Sequence, residues 1–217
     1  MSLINMLLDE DQREAGRVEG VAPGLVTNNQ DPEGLARVKV RYPWREDGQE
    51  SFWARIAAPA AGRDRGTVWI PEVGDEVLLA FDKGDINHPY VLGALWNGQD
   101  TPPEKNQDGQ NDTKLVRSRS GHQIKLFDKP GQESVEIKTQ GGHTILLDDS
   151  AGSARVEITD SSGSNKLVIE TAQNSVTVES GLSLKIKSQK IDIEAGASMT
   201  LKATGTLTIQ GALVRIN

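Results

Sequence analysis

Gly121-His122-Gln123-Ile124-Lys125-Leu126-Phe127-Asp128 returns 21 residues later as Gly142-His143-Thr144-Ile145-Leu146-Leu147-Asp148-Asp149, and Val135/Ile137 return at Val156/Ile158 with the same offset. Further alternating runs follow at Leu167–Ile169, Val176–Val178, Leu182–Ile186, Ile191–Ile193, Met199–Leu201 and Leu207–Ile209. Side chains on a strand point to opposite faces at successive residues, so each run has one apolar and one polar face. The spacing predicts an all-β segment of stacked units, none able to bury its apolar face alone. After Val178 the runs are shorter and more closely spaced.

One such chain does not close its own core. Burying one Val, Ile or Leu per two residues returns ~1.5–3 kcal/mol, while ordering two residues of backbone costs ~2–4 kcal/mol. The two nearly cancel. No Phe, Tyr or Trp follows Phe127 to fill a wide sandwich. The interior is therefore expected to be thin and closed by strands of other copies.

Working outward, the 217 residues divide by composition. Eight of nine aromatics precede Asn97. Residues 1–117 carry 13 Lys+Arg against 20 Asp+Glu, and residues 118–217 carry 11 against 11, so the net charge of −7 belongs to the N-terminal part. An acidic balance without a basic block argues against nucleic acid as a partner. No cysteine is present, which leaves no disulfide or thiolate metal site.

The start, Met1 to Leu8, lacks a basic region and runs into Asp9-Glu10-Asp11, unlike a cleaved signal peptide. Assembly in the cytoplasm is the expectation. Leu3/Leu7 and Ile4/Leu8 share one stripe of a short helix, so residues 1–16 are read as an arm that either packs on its own domain or frays, or anchors to another protein.

Residues 17–97 read as a small barrel. Strands are expected at Val18–Thr27, Arg37–Tyr42, Ser51–Ala57, Gly66–Ile70, Val77–Phe81 and Tyr90–Leu95, a number that fits an OB-type barrel. Residues 98–117, with Pro102-Pro103, read as a linker, and residues 118–217 as the repeat segment.

Chemistry-bearing patterns are sparse. Asp148 and Asp149 are adjacent, so on a strand they face opposite sides, the wrong geometry for two carboxylates sharing one substrate. No Gly-x-Ser-x-Gly, Walker loop or dinucleotide fingerprint occurs. His88, His122 and His143 read as turn histidines, and no cofactor or metal is expected. Tyr42, Trp44, Phe52, Trp53, Trp69 and Trp96 sit among alternating apolar residues without a basic track and read as core or subunit contacts. The chain is not expected to be an enzyme.

Pro71-Glu72-Val73-Gly74-Asp75-Glu76-Val77-Leu78-Leu79-Ala80-Phe81 and, after Gly84-Asp85, His88-Pro89-Tyr90-Val91-Leu92-Gly93-Ala94-Leu95-Trp96-Asn97-Gly98 resemble the OB domain of VgrG and phage baseplate spike proteins. Leu207 to Asn217 resembles the end of their needle. The resemblance implies a homotrimer: three OB barrels leading into an intertwined β-helix, or β-prism. The implied role is the membrane-piercing central spike of a contractile injection machine, carried to the target envelope on contraction with transient membrane contact. A separately encoded hub is expected on the arm bearing Leu3, Ile4, Leu7 and Leu8. A PAAR-like tip protein is expected at Leu213, Val214, Ile216 and Asn217, where apolar side chains and strand edges end bluntly. The alternative reading is a trimeric β-helical tail fibre that binds a receptor or carbohydrate.

Overall fold

A computed structural model describes residues 17–45 and 48–216. The described residues divide into two compact units, one up to Gly109 and one from Gln110, with strands in each.

In the first unit, β1 (Val21–Asn28), β2 (Lys39–Arg41), β3 (Arg55–Ile56), β4 (Ala61–Gly62), β5 (Arg65–Gly66), β6 (Glu76–Phe81) and β7 (Pro89–Ala94) follow in order. Five of them form one sheet ordered β2-β1-β6-β7-β3. Bonds between its two ends close it into a barrel: the Val38 N–H donates to the Ala54 carbonyl at 3.0 Å and the Ala54 N–H to the Val38 carbonyl at 2.7 Å.

Alternation in β6 sends Val77, Leu79 and Phe81 inward, where they meet Val26, Val38, Val40, Tyr42, Ala54 and Val91. Gly24 is required by close approach, because a Cβ there would lie 2.6 Å from Leu79 Cδ1. Asp31 ties the β1–β2 loop by accepting from both Nε and Nη2 of Arg37 at 2.8 Å and from the backbone N–H groups of Glu33 and Leu35. Those donors hold its carboxyl well below the usual range.

One expectation for this unit is corrected. Gly66–Ile70 is not a strand of the barrel; the ladder there is the small β4–β5 hairpin, whose Gly66 at φ 145° leaves no room for a Cβ beside the Ala60 carbonyl. Tyr42 is a core residue; Trp44, Phe52, Trp69 and Trp96 are exposed in the single chain, so they are outside its core and their role as subunit contacts stands as an expectation. Trp53 is half-buried under Arg37 and Lys39, at 6.0 and 5.6 Å from its ring, so a cation pair does accompany this aromatic.

The second unit is a seven-stranded antiparallel meander: β8 (Thr113–Arg117), β9 (Gln123–Phe127), β10 (Ser134–Lys138), β11 (Thr144–Asp148), β12 (Arg155–Thr159), β13 (Lys166–Glu170) and β14 (Ser175–Glu179). β8 lies in the stretch read as linker; Thr113-Lys114-Leu115-Val116-Arg117 is a short alternation that pairs fully with β9. The 21-residue offset is one β-hairpin plus its turns.

The runs expected at Leu182–Ile186, Ile191–Ile193, Met199–Leu201 and Leu207–Ile209 carry no ladder in the single chain. Alternation orients side chains, but a strand also requires a neighbour to take its N–H and C=O groups. The apolar side chains of this segment, Leu182 to Ile216, are 47–98% exposed.

Candidate functional site

The feature in most need of a partner is one face of the meander. Cross-strand register aligns Val116, Ile124, Ile137, Ile145, Ile158, Leu167 and Val178 in one row. A second row aligns Lys114, Leu126, Val135, Leu147, Val156, Ile169 and Val176. Thirteen of the fourteen positions are aliphatic, and ten of those side chains are 40–67% exposed. The first row lines a trough of about 530 Å³ with Ile137, Ile145, Ile158, Leu167 and Val178. An apolar surface this continuous marks a site of association.

The reverse face is charged and hydrogen-bonded. Arg155 joins Asp148 at 3.0 Å and Glu157 at 3.1 Å, and Lys166 meets Glu179 at 3.1 Å across the β13–β14 pair. Asp148 is thus an ion-paired partner whose carboxyl is lowered first by Ser150 and then by Arg155. Among the described residues no three His, Asp or Glu side chains converge as a metal site.

The turns carry a second electrostatic feature. Asp160 accepts from the Asn165 side chain at 2.9 Å, the Asn165 N–H at 3.1 Å and the Ser162 hydroxyl, which hold its carboxyl at about 2. Asp148 and Glu157 are shifted in the same direction. A carboxyl lowered on folding stabilises the fold above its unfolded value near pH 4, and that contribution is lost as pH falls through the folded value. The thermal midpoint of the second unit is expected to hold above pH 5 and drop between pH 4 and 2. Asp160→Asn should flatten that slope in a melting series; a slope equal to the parent's would remove Asp160 from the effect.

Leu213, Val214 and Ile216 are exposed in the single chain, like the other large apolar side chains from Leu182 on, and Asn217 lies outside the described residues. Leu3, Ile4, Leu7 and Leu8 also lie outside them. Sequence reasoning named individual strands and missed the two rows, although the 21-residue offset, carried through the hairpin register, contains them.

One family of known proteins matches within the first unit. Residues 22–96, 75 of the 217, match the type VI secretion system/phage-baseplate injector OB domain. The type VI secretion system spike protein VgrG1c of Pseudomonas aeruginosa is 32% identical over 112 residues, 46% of this chain and 15% of that protein. VgrG3 of Vibrio cholerae is 31% identical over 113 residues, 48% of this chain and 11% of that one. The actin cross-linking toxin VgrG1 of Vibrio cholerae is 31% identical over 109 residues, 46% of this chain and 10% of that one. The chain thus spans between a tenth and about a sixth of the length of the curated relatives it matches.

Proposed function

We propose, from the premise that residues 22–96 are an OB domain of the VgrG and baseplate-spike kind, that this chain is the central spike of a contractile injection machine. The observation that carries the proposal is the pair of aliphatic rows on an open sheet face, joined in one chain to an injector OB domain. Three such faces turned toward one axis bury both rows and leave the charged faces outward, which is the arrangement of a three-sided prism. Most of the thirteen aliphatic side chains are already about half-buried or more in one chain, so completing their burial contributes roughly 1 kcal/mol each. Residues 113–179 make their ladders within one chain, so intertwining belongs to residues 180–216, whose backbone partners come from other copies.

The role of such a needle is mechanical, with no catalytic step. Assembly in the cytoplasm, thrust by contraction and passage through the target membrane follow from that role. The arm with Leu3, Ile4, Leu7 and Leu8 docks a separate hub, and Leu213, Val214, Ile216 and Asn217 seat a PAAR-like tip protein. The support is the exposure of Leu213, Val214 and Ile216 and the apolar stripe of the arm sequence.

Sedimentation equilibrium of the whole chain is expected to give three times 23.5 kDa, 70.5 kDa. A monomer at micromolar concentration would overturn the proposal. In the same preparation, removing residues 1–10 should release the hub alone, and Val214→Asp the tip protein alone. Retention of both partners by both variants would separate these segments from docking.

A further inference from the structure

At one edge of the meander three ladders stop with no turn to join their strands. β9–β10 ends at the pair Gln123/Lys138, β11–β12 at Thr144/Thr159 and β13–β14 at Lys166/Glu179. Two residues past each end, a backbone donor meets a side chain instead of a strand. The Gln140 N–H donates to His122 Nδ1, the Ser161 N–H to His143 Nδ1 and the Gly181 N–H to Asn165 Oδ1, each at 3.2 Å.

The three acceptors occupy one structural position, immediately before the facing strand, and are held alike. The N–H of His122 donates to Ser118 Oγ at 3.1 Å, that of His143 to Thr139 Oγ1 at 3.0 Å and that of Asn165 to Asp160 Oδ1 at 3.1 Å. Each side chain is therefore placed by its own turn to cap the neighbouring ladder, as a polar side chain caps a helix end.

We propose that His122, His143 and Asn165 form a rail of ladder caps, and that acid opens the two histidine rungs while leaving the asparagine rung closed. An imidazole accepts at Nδ1 only when neutral, with its proton on Nε2. Protonation puts a hydrogen on Nδ1 that faces the Gln140 or Ser161 N–H, so an attraction becomes a donor–donor contact. An amide oxygen has no such transition. His88 offers a contrast within the chain: its Nδ1 lies 2.7 Å from Asp85 Oδ2, a contact that a proton preserves.

The charged groups on the elements around the two histidines differ. Around His122 they are Arg117 at the end of β8, Arg119 in its own turn and Lys138 at the end of β10. Around His143 they are Lys138, Asp160 and Lys166, with Asp160 committed to Ser162 and Asn165. The device belongs to the sheet of one chain, so it stands or falls independently of trimer formation.

Hydrogen–deuterium exchange of the whole protein at pH 7.5 and 5.0, corrected for the intrinsic rate at each pH, tests it. Protection at Gln140 and Ser161 is expected to fall about tenfold in acid, the effect of losing one hydrogen bond, with protection at Gly181 unchanged. The double variant H122N/H143N is expected to keep all three protected at pH 5.0. Unchanged protection in the parent, an equal loss at Gly181, or a loss that persists in the double variant would each overturn the proposal. Imidazole ¹⁵N shifts in the parent give a readout that needs no variant, since an Nδ1 bearing hydrogen at pH 7.5 would overturn it directly.

Discussion

Ile145→Asp is expected to abolish the 70.5 kDa assembly and leave a single chain whose sheet is still formed. Ile145 stands mid-row between Ile137 and Ile158, and in one chain it remains 40% exposed, so a carboxylate there still reaches water. In the packed prism the same carboxylate loses its hydration with no cation placed to receive it, a penalty of several kcal/mol per chain, or roughly a thousandfold in association for each copy. Leu146→Asp is the control, because its side chain emerges on the charged face beside Glu136 and Glu157. The first variant should sediment as one chain with the β-rich circular dichroism of the parent, and the second should remain assembled. A trimer of Ile145→Asp would mean that the aliphatic rows face something other than each other.

The barrel core and the aliphatic rows were open to sequence reading for one reason: both follow from period-two alternation. Val77/Leu79/Phe81 and Ile124/Leu126 need only that rule to be placed on a face. The β4–β5 hairpin was not legible, because its two-residue strands of Ala, Gly and Arg carry no alternation. Trp44, Trp69 and Trp96 were read as core or subunit contacts; size and apolarity alone do not separate the two, and their exposure in one chain excludes only the core half of that reading. His122 and His143 were read as turn residues, which is correct as to position. Their acceptor role depends on a donor 18 residues away that only the register reveals. The one sequence signal available was their recurrence directly before a strand.

Residues 180–216 show the converse: every run alternates like a strand, and one chain supplies no ladder for any of them. Their apolar runs centre on positions 184, 192, 200, 208 and 215, so the runs recur about every eight residues, a closer spacing than the 21-residue hairpin repeat upstream. Such runs can neither pair back on one another in a long meander nor bury twelve exposed aliphatic and Met side chains within one copy. In the proposed trimer each run would find a neighbour from another chain, and unfolding would require three wound tails to separate at once, which raises the unfolding barrier more than equilibrium stability. Deleting residues 180–217 is therefore expected to preserve the fold of the barrel and the seven-stranded sheet while shortening the trimer's unfolding half-life in hot detergent by a hundredfold or more, about 3 kcal/mol of barrier. The measurement is the decay of the trimer band with heating time for the full and shortened chains. Equal half-lives would place the kinetic barrier in the sheet faces and leave the tail without a part in holding the copies together.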